Sequence, residues 1–225
     1  MRKFLDNQRL WASPGDPDER WIKPHVLWLP QDQPEAMAYF HRLRTVVATF
    51  CDIVTPVDSD DLHLTIQKIE PRTAAGDRVD NAHLAAAAAA VQQALAHLSP
   101  FEIEIGPART TRSAATVDMR PEDELDHLYR RVRAGLTQAG LVLPDPAPLF
   151  WGHASIGYGN IDTDTAELAR RSDQLASALA KTIRPPTRIR ARMASVWLVW
   201  ERQDHLRNRY LVERVHEIHL GRTQA

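Results

Sequence analysis

Residues 61–70, with the sequence DLHLTIQKIE, alternate between apolar and polar side chains. Leucine or isoleucine occupies every second position over most of this stretch, which predicts a β-strand with one buried face. A period of two places His63, Thr65 and Gln67 together on the opposite face. That face is compatible with a solvated sheet surface and with one half of an active site. The second interpretation requires a matching half elsewhere in the chain.

The composition is that of an ordinary globular protein. The chain has 225 residues, 44% hydrophobic and 25% charged, and a formal net charge of −1, so it has no overall attraction to nucleic acid or anionic membranes. Its single cysteine, Cys51, excludes an internal disulfide and a CxxC motif, and is interpreted as packed. The first residues, MRKFLDNQRLW, predict no secretory signal, and no segment is long enough to span a bilayer. A cytoplasmic location is expected.

Helical and strand patterns follow one another along the whole chain. Apolar periodicity, prolines and acidic first turns predict four helices, at residues 34–51, 81–98, 121–140 and 164–182. Strands are predicted at residues 24–30, 61–70, 101–105, 113–120, 151–160, 187–201 and 210–220. The order βαβαββαβαββ favours an α+β or α/β fold. No shift in composition and no linker divides the chain, so one domain over residues 1–225 is expected.

A second histidine motif, HASI at residues 153–156, matches HLTI at residues 63–66. Both have the order His, any residue, Thr or Ser, then Ile. The chain has ten histidines, so about one His-x-Ser/Thr triplet is expected by chance. A third triplet, at His97, runs directly into Pro100, which a central strand does not tolerate. The other two triplets lie in predicted strands that are each followed by a helix and another strand.

The period of two places a histidine and a hydroxyl on one face of each of these two strands. If the two repeats form sheets that face each other, two histidines and two hydroxyls line one cleft. Such a cleft is suited to phosphodiester chemistry. A neutral imidazole removes a proton from water or from a ribose hydroxyl, and an imidazolium donates a proton to the leaving oxygen. The hydroxyls donate hydrogen bonds to the phosphate oxygens.

The paired HLTI and HASI motifs resemble those of the 2H phosphoesterase superfamily, in particular its 2′-5′ RNA ligase-like, cyclic phosphodiesterase branch. The resemblance covers most of the chain: HVLWLP at 25–30 precedes the first helix, and residues 194–220 look like the family's paired C-terminal strands. It implies an α+β fold of two lobes related by a pseudo-two-fold axis. Two mainly antiparallel sheets flanked by helices would then border a central active-site groove.

The resemblance also implies the chemistry. Members of the family hydrolyse or form cyclic and 2′-5′ phosphodiesters, generally without a metal, so no cofactor is expected. By the motif, His63 and His153 are the catalytic acid and base, in an order left open, and Thr65 and Ser155 bind the phosphate. The expected partner is a nucleotide or RNA with a cyclic or 2′-5′ phosphodiester. The protein is expected to be a monomer without membrane association.

Four further residues are candidates for substrate binding. Trp151 shares strand parity with His153 and is a candidate for stacking on a base, although a position in the core or at the rim fits equally well. Arg188, Arg190 and Arg192 alternate along one predicted strand and present three guanidinium groups on one face. They either line the groove and bind phosphates or form a solvated sheet face.

Two alternatives to this function remain open. A non-catalytic nucleotide- or RNA-binding module would keep the same cleft without turnover. A metal-dependent hydrolase would use His216 and His219, in the segment ERVHEIH. These two histidines fall on opposite faces of a strand and share a face only on a helix. The strand pattern fits better, so no metal site is predicted.

Overall fold

The computed structural model describes Met1 and residues 22–182, 188–204 and 207–221. Nine strands and four helices lie in these ranges. The strands are β1 (Ile22–Trp28), β2 (Val54–Pro56), β3 (Leu64–Lys68), β4 (Phe101–Thr110), β5 (Ala114–Arg120), β6 (His153–Gly159), β7 (Ile189–Met193), β8 (Ser195–Asp204) and β9 (Arg209–His219). The helices are α1 (Pro34–Ala48), α2 (Asn81–Leu95), α3 (Glu122–Gln138) and α4 (Ala166–Lys181).

The strands form one antiparallel sheet in the order β7-β4-β5-β6-β3-β1-β8-β9, and β2 pairs with β6 beside this path. The two halves of the sheet meet at β3 and β6. There they are joined through a single residue pair, Leu64 with Ala154. The predicted α+β class with mainly antiparallel strands is confirmed. The two sheets expected from the sequence form one continuous sheet in the structure, joined through this residue pair.

The helices cover the buried side of the sheet. Helix α1 contacts β2, β6 and β7, and α4 contacts β4, whereas α2 and α3 pack on each other and contact β9 and β3. Leu64 and Ala154, at the junction of the two halves, are 0% and 1% exposed. Helices α2 and α3 approach closely at Gly135, where a Cβ atom would lie 2.7 Å from the Cα of Val91. Only glycine permits this helix spacing.

The helix starts follow the local sequence. Asp80 caps α2 by accepting a hydrogen bond from the backbone N–H of His83 at 2.9 Å, and Thr165 caps α4 by accepting one from Leu168 at 3.0 Å. Helix α3 begins with three acidic residues, whose charges favour its N-terminus. All four predicted helices are present, and each ends slightly earlier than the sequence pattern predicts.

The strand predictions need two corrections. Strand β2 is an additional short strand that the sequence pattern does not predict. The segment predicted as one strand at 187–201 is divided at Ala194 into β7 and β8. Residue 187 and the segment considered for a secretory signal, apart from Met1, lie outside the described residues.

The prediction that Gln67 continues the face of His63 and Thr65 is wrong. Thr65 pairs with Leu27 of β1, but Gln67 pairs with Val26, so β3 contains one extra residue between them. Such a bulge reverses the side on which the following side chains lie. Gln67 is consequently 4% exposed. Its side chain accepts a hydrogen bond from an arginine of α3 at 3.0 Å.

Cys51 is exposed, so its interpretation as a packed residue is wrong. Helix α1 already ends at Ala48, and the cysteine lies in the turn that follows. Among the described residues, no helix has the length and the apolar character needed to cross a membrane.

Candidate active site

The two histidine motifs lie side by side where the halves of the sheet meet. The residues that directly follow the two histidines pair with each other across β3 and β6. Because the strands are antiparallel, a step backward on one strand faces a step forward on the other. His63 therefore falls opposite Ser155, and His153 falls opposite Thr65. Each histidine is beside the hydroxyl of the other motif, and all four residues share the partly exposed face.

The two imidazole rings are oriented in the same way. Nδ1 of His63 lies 2.7 Å from the backbone oxygen of Asp61, and Nδ1 of His153 lies 3.1 Å from that of Trp151. A carbonyl oxygen only accepts hydrogen bonds, so Nδ1 donates and carries the proton in the neutral ring. Nε2 is then the nitrogen whose lone pair is available for proton exchange. Both motifs use a carbonyl two residues earlier, consistent with a pseudo-two-fold relationship.

The ring of His63 is nearly enclosed, with its side chain 11% exposed. Its Nε2 lies 3.5 Å from Oε2 of Glu201, and the ring of Tyr210 packs edge-on at a centroid distance of 6.4 Å. Burial lowers the pKa of His63 to about 4, against the opposing effect of the hydrogen bond to Asp61, and the charge of a protonated His153 lowers it further. The His63 imidazole on its own is therefore neutral at neutral pH.

His153 belongs to a stack of three planar groups. Its ring is 3.9 Å from that of Trp151, with an angle of 18° between the planes, and the guanidinium of Arg109 lies 4.5 Å from the centroid of the same indole. Asp118 fixes both neighbours, because its Oδ1 accepts from Arg109 Nε and from Trp151 Nε1, each at 3.0 Å. Burial lowers the pKa of His153. Trp151 remains 44% exposed, so part of the indole faces solvent.

The hydroxyl groups of Thr65 and Ser155 are both on partly exposed residues of the same face. Ser155 shares a hydrogen bond with Tyr158, which is 4% exposed and packs edge-on against Tyr210 at 5.2 Å. Burial raises the pKa of the Tyr158 phenol, so its proton is retained. Tyr158 therefore belongs to the hydrophobic core.

The turn Ser59–Asp61, which precedes His63, is held by side chains from other elements. The carboxylate of Asp61 is nearly buried and accepts a hydrogen bond from Arg209 of β9 at 2.5 Å. Burial raises the pKa of Asp61, and the guanidinium of Arg209 opposes that shift. The amide of Gln31 donates to three backbone carbonyls in and beside the turn. These contacts fix the carbonyl that orients the His63 ring.

The arginine stripe is not brought to the histidines. Arg188, Arg190 and Arg192 are exposed and lie on or just before the edge strand β7. This strand is three positions from β6 in the sheet, or about 14 Å at the usual strand spacing. Arg188 pairs with Glu104 at 3.2 Å and Arg190 with Glu102 at 3.4 Å. The prediction that the stripe binds phosphate beside the histidines therefore gains no support from its position.

The second alternative, a metal site at His216 and His219, also lacks a structural basis. Both residues lie in β9, so they point to opposite faces. Among the described residues, no three His, Cys, Asp or Glu side chains are grouped to hold a metal ion.

Sequence reasoning missed several residues that contact the motif histidines or their partners, among them Glu201, Arg109 and Asp118. Glu201 had a detectable signal, since it is the first acid after the apolar run VWLVW and sits at an alternating, buried position of β8. Arg109 and Asp118 had none, because they meet only through the pairing of β4 with β5 and of β5 with β6.

The paired motifs at the centre of an antiparallel α+β sheet define the class of two-histidine phosphoesterases. A family model described as the 2′-5′ RNA ligase superfamily matches residues 62–205. The match spans well over half of the chain and includes both motifs, and the chain therefore belongs to this superfamily. Phosphodiesterase-type chemistry is the activity that this membership supports. A search of curated proteins found no match.

Solved structures share the fold at low sequence identity. The protein TT0787 of Thermus thermophilus is 16% identical with a TM-score of 0.59, covering 88% of this chain and 98% of that chain. E. coli LigT complexed with 3′-AMP is 15% identical with a TM-score of 0.54, and the match covers 89% of this chain and 98% of the LigT chain. The MHV ns2 PDE domain is 9% identical with a TM-score of 0.52, and the match covers 79% of this chain and 97% of the PDE domain. At sequence identities this low, the structural similarity establishes only that the fold is shared.

Proposed function

We propose that the protein is a metal-independent phosphodiesterase acting on 2′,3′-cyclic phosphate or 2′-5′-linked nucleotide or RNA substrates. The observation that carries this proposal is the antiparallel pairing at β3 and β6, which sets each histidine beside the hydroxyl of the other motif. We also propose that the chain acts as one domain and as a monomer. A single cysteine favours a reducing, cytoplasmic setting.

In the proposed reaction, His63 and His153 act through their Nε2 atoms on opposite sides of the phosphorus. One imidazole takes a proton from the attacking water, and the other donates a proton to the ribose oxygen that leaves. The hydroxyls of Thr65 and Ser155 donate hydrogen bonds to the non-bridging phosphate oxygens. These bonds hold the phosphate in line and stabilise the charge that develops on it.

A nucleotide is the ligand class that fits the surroundings of His153. The indole of Trp151 has His153 on one face and the guanidinium of Arg109 on the other, so a base reaches the aromatic surface by taking the place of this guanidinium, which is itself 46% exposed. Arg109 then provides a positive charge beside the base. LigT, which has a similar fold, has been crystallised with 3′-AMP, and this supports a nucleotide as the ligand class.

The function is tested by incubating the protein with 2′,3′-cyclic nucleotides and with 2′-5′- and 3′-5′-linked dinucleotides. Chromatography of the products is expected to show conversion of the cyclic or the 2′-5′ substrates, with the 3′-5′ dinucleotides left intact. Tight nucleotide binding with no conversion of any substrate would favour the non-catalytic binding module instead.

Activity is expected to survive prolonged dialysis against EDTA with less than about a twofold change in kcat, because the two imidazoles supply both proton transfers. The same assay before and after chelation provides the measurement. A loss of turnover that added Zn²⁺, Mn²⁺ or Mg²⁺ restores would contradict a metal-independent mechanism.

Replacing Trp151 with alanine is expected to raise KM for a 2′,3′-cyclic nucleotide by about tenfold, since base–aromatic stacking contributes roughly 1–3 kcal/mol. Ribose 2′,3′-cyclic phosphate, which has no base, serves as the matched control substrate. Its KM is expected to be nearly unchanged in the variant. An equal increase in KM for both substrates would mean that Trp151 acts by supporting His153 and not by binding the base.

A further inference from the structure

A buried carboxyl group lies directly behind the proposed catalytic centre. Glu201 projects from β8 with its side chain 4% exposed. Oε2 lies 3.5 Å from Nε2 of His63, and Oε1 lies 3.7 Å from Nε2 of His25 in β1. No described residue forms a hydrogen bond with Oε2. An ionised carboxylate is expensive to bury without a donor, so this arrangement requires an explanation.

The tautomer of His63 shows where a proton must lie. Its Nδ1 donates to the backbone oxygen of Asp61, so Nε2 of the neutral ring presents a lone pair to the carboxyl oxygen. A lone pair facing an ionised oxygen is repulsive. One proton between Oε2 and Nε2 removes the repulsion, whether it resides on the carboxyl or on the imidazole. The separation of 3.5 Å is too long for a strong hydrogen bond and leaves Nε2 able to turn towards a substrate oxygen.

We propose that Glu201 is a positioning residue that shares one proton with Nε2 of His63 and so makes His63 the general acid of the reaction. The inference rests on the proposed phosphodiesterase function and assigns a role to each histidine. His153 is the general base. Its ring faces Trp151 and is held by a backbone carbonyl, with the nearby Asp118 carboxylate engaged by Arg109 and by Trp151.

The shared proton resolves a difficulty in the two-histidine mechanism. Burial lowers the pKa of both motif histidines, so two isolated imidazoles would both be neutral at neutral pH and no acid would be present. Burial raises the pKa of Glu201 to about 8, so the pair with His63 still holds a proton there. His25 supplies no competing proton, because burial lowers its pKa to about 3.

Several other ionisable groups lie around the pair. They are Lys23 in β1, Asp61 in the preceding turn, Lys68 in β3, Tyr158 in β6, Tyr210 in β9 and, across the site, His153.

The proton balance of the step is complete. The water oxygen forms a bond to phosphorus while His153 Nε2 takes one of the water protons. The bond between phosphorus and the leaving ribose oxygen breaks, and that oxygen takes the proton from His63 Nε2. Where the proton began on Glu201, it first passes to Nε2 of His63, and the imidazolium then turns from the carboxylate and donates this proton to the leaving oxygen. Glu201 is then a carboxylate and His153 an imidazolium. His153 releases its extra proton to solvent, and the pair of Glu201 and His63 takes one up from solvent.

The first test is the substitution Glu201→Gln, which keeps the shape of the side chain but cannot hold the shared proton. We expect kcat on a 2′,3′-cyclic nucleotide at neutral pH to fall by about 10²–10³-fold, as for loss of a general acid. The alkaline limb of the pH profile of kcat is expected to move to lower pH. Glu213→Gln, at an exposed position of β9, is the matched control and should leave both quantities unchanged.

A substrate with a better leaving group distinguishes two roles of Glu201, namely supplying the proton for the leaving group and only supporting the structure. A nucleoside 2′-(p-nitrophenyl phosphate) releases p-nitrophenolate, which needs no proton to leave. Glu201→Gln is therefore expected to keep most of the wild-type rate on this substrate. Equal losses of rate on both substrates, or a wild-type pH profile in the variant, would overturn the proposal.

The pair is also measurable without turnover. In ¹⁵N NMR of the imidazole nitrogens, Nε2 of His63 is expected to titrate in the wild-type protein at a higher pH than in Glu201→Gln. Identical midpoints in the two proteins would overturn the proposal. Failure of the proposed function has a different signature, since the wild-type protein would then turn over none of the substrates at any pH.

Discussion

Replacing either His63 or His153 with asparagine is expected to lower kcat on a 2′,3′-cyclic nucleotide by about 10²–10⁴-fold, the usual contribution of a general acid or base. Asparagine is chosen because its amide N–H can still donate to the carbonyl that holds each Nδ1. The variant therefore keeps the local hydrogen bond and loses only proton exchange at Nε2. Steady-state kinetics gives the measurement, with circular dichroism and thermal unfolding to verify the fold.

The chain contains its own control for this experiment. His97 belongs to the third His-x-Ser/Thr triplet but is exposed beyond the end of α2. His97→Asn is expected to leave kcat and KM unchanged. The double variant at His63 and His153 is expected to have a kcat only slightly below that of the less active single variant, because the two groups act in one step. Full activity in either single variant would rule out the two-histidine mechanism.

Arg209→Met is expected to lower the free energy of unfolding by about 2 kcal/mol at pH 8, less than for a fully buried ion pair because the side chain of Arg209 is 31% exposed. The carboxylate of Asp61 is 8% exposed and would lose its guanidinium partner at 2.5 Å. The control, Arg207→Met, removes an arginine that is 75% exposed, and the expected change is within about 0.5 kcal/mol. Urea denaturation of the two variants measures the difference.

The stability loss in Arg209→Met is expected to depend on pH. Burial already raises the pKa of Asp61, and removal of Arg209 raises it further. The folded variant then binds a proton that the unfolded chain releases, so its stability falls as the pH rises from the unfolded pKa through the folded pKa. The deficit is smallest in acid and largest at and above neutral pH. Adding Asp61→Asn should restore most of it, and a deficit that is the same at all pH values would contradict this explanation.

Local patterns were sufficient to predict most of the fold. Alternation in residues 61–70 placed the strand correctly, and it placed His63 and Thr65 on the partly exposed face. The face assigned to Gln67 was wrong, because β3 contains a bulge opposite β1. The alternation breaks at the same place, since the apolar residue after Ile66 is Ile69. The helices were predicted from capping and periodicity, which are also local properties.

The candidate site was predictable only from its repeated motif. Matching the motifs at His63 and His153 predicted two half-sites, and the pairing of β3 with β6 brings them together. The positions of Arg109 and Asp118 depend on the register of three strands, which no single segment encodes. The arginines of β7 had the right chemistry for phosphate, but the strand order puts them at the far edge of the sheet, paired with glutamates.

The central claim is that the two motifs form one phosphate site. A crystal structure with a bound nucleoside 2′-monophosphate tests it most directly. Oxygens of the phosphate group are expected within about 3 Å of Nε2 of both His63 and His153, with the hydroxyls of Thr65 and Ser155 as further donors. The base is expected against Trp151. A phosphate bound at Arg188 and Arg190, at the far edge of the sheet, with neither histidine in contact, would contradict the account.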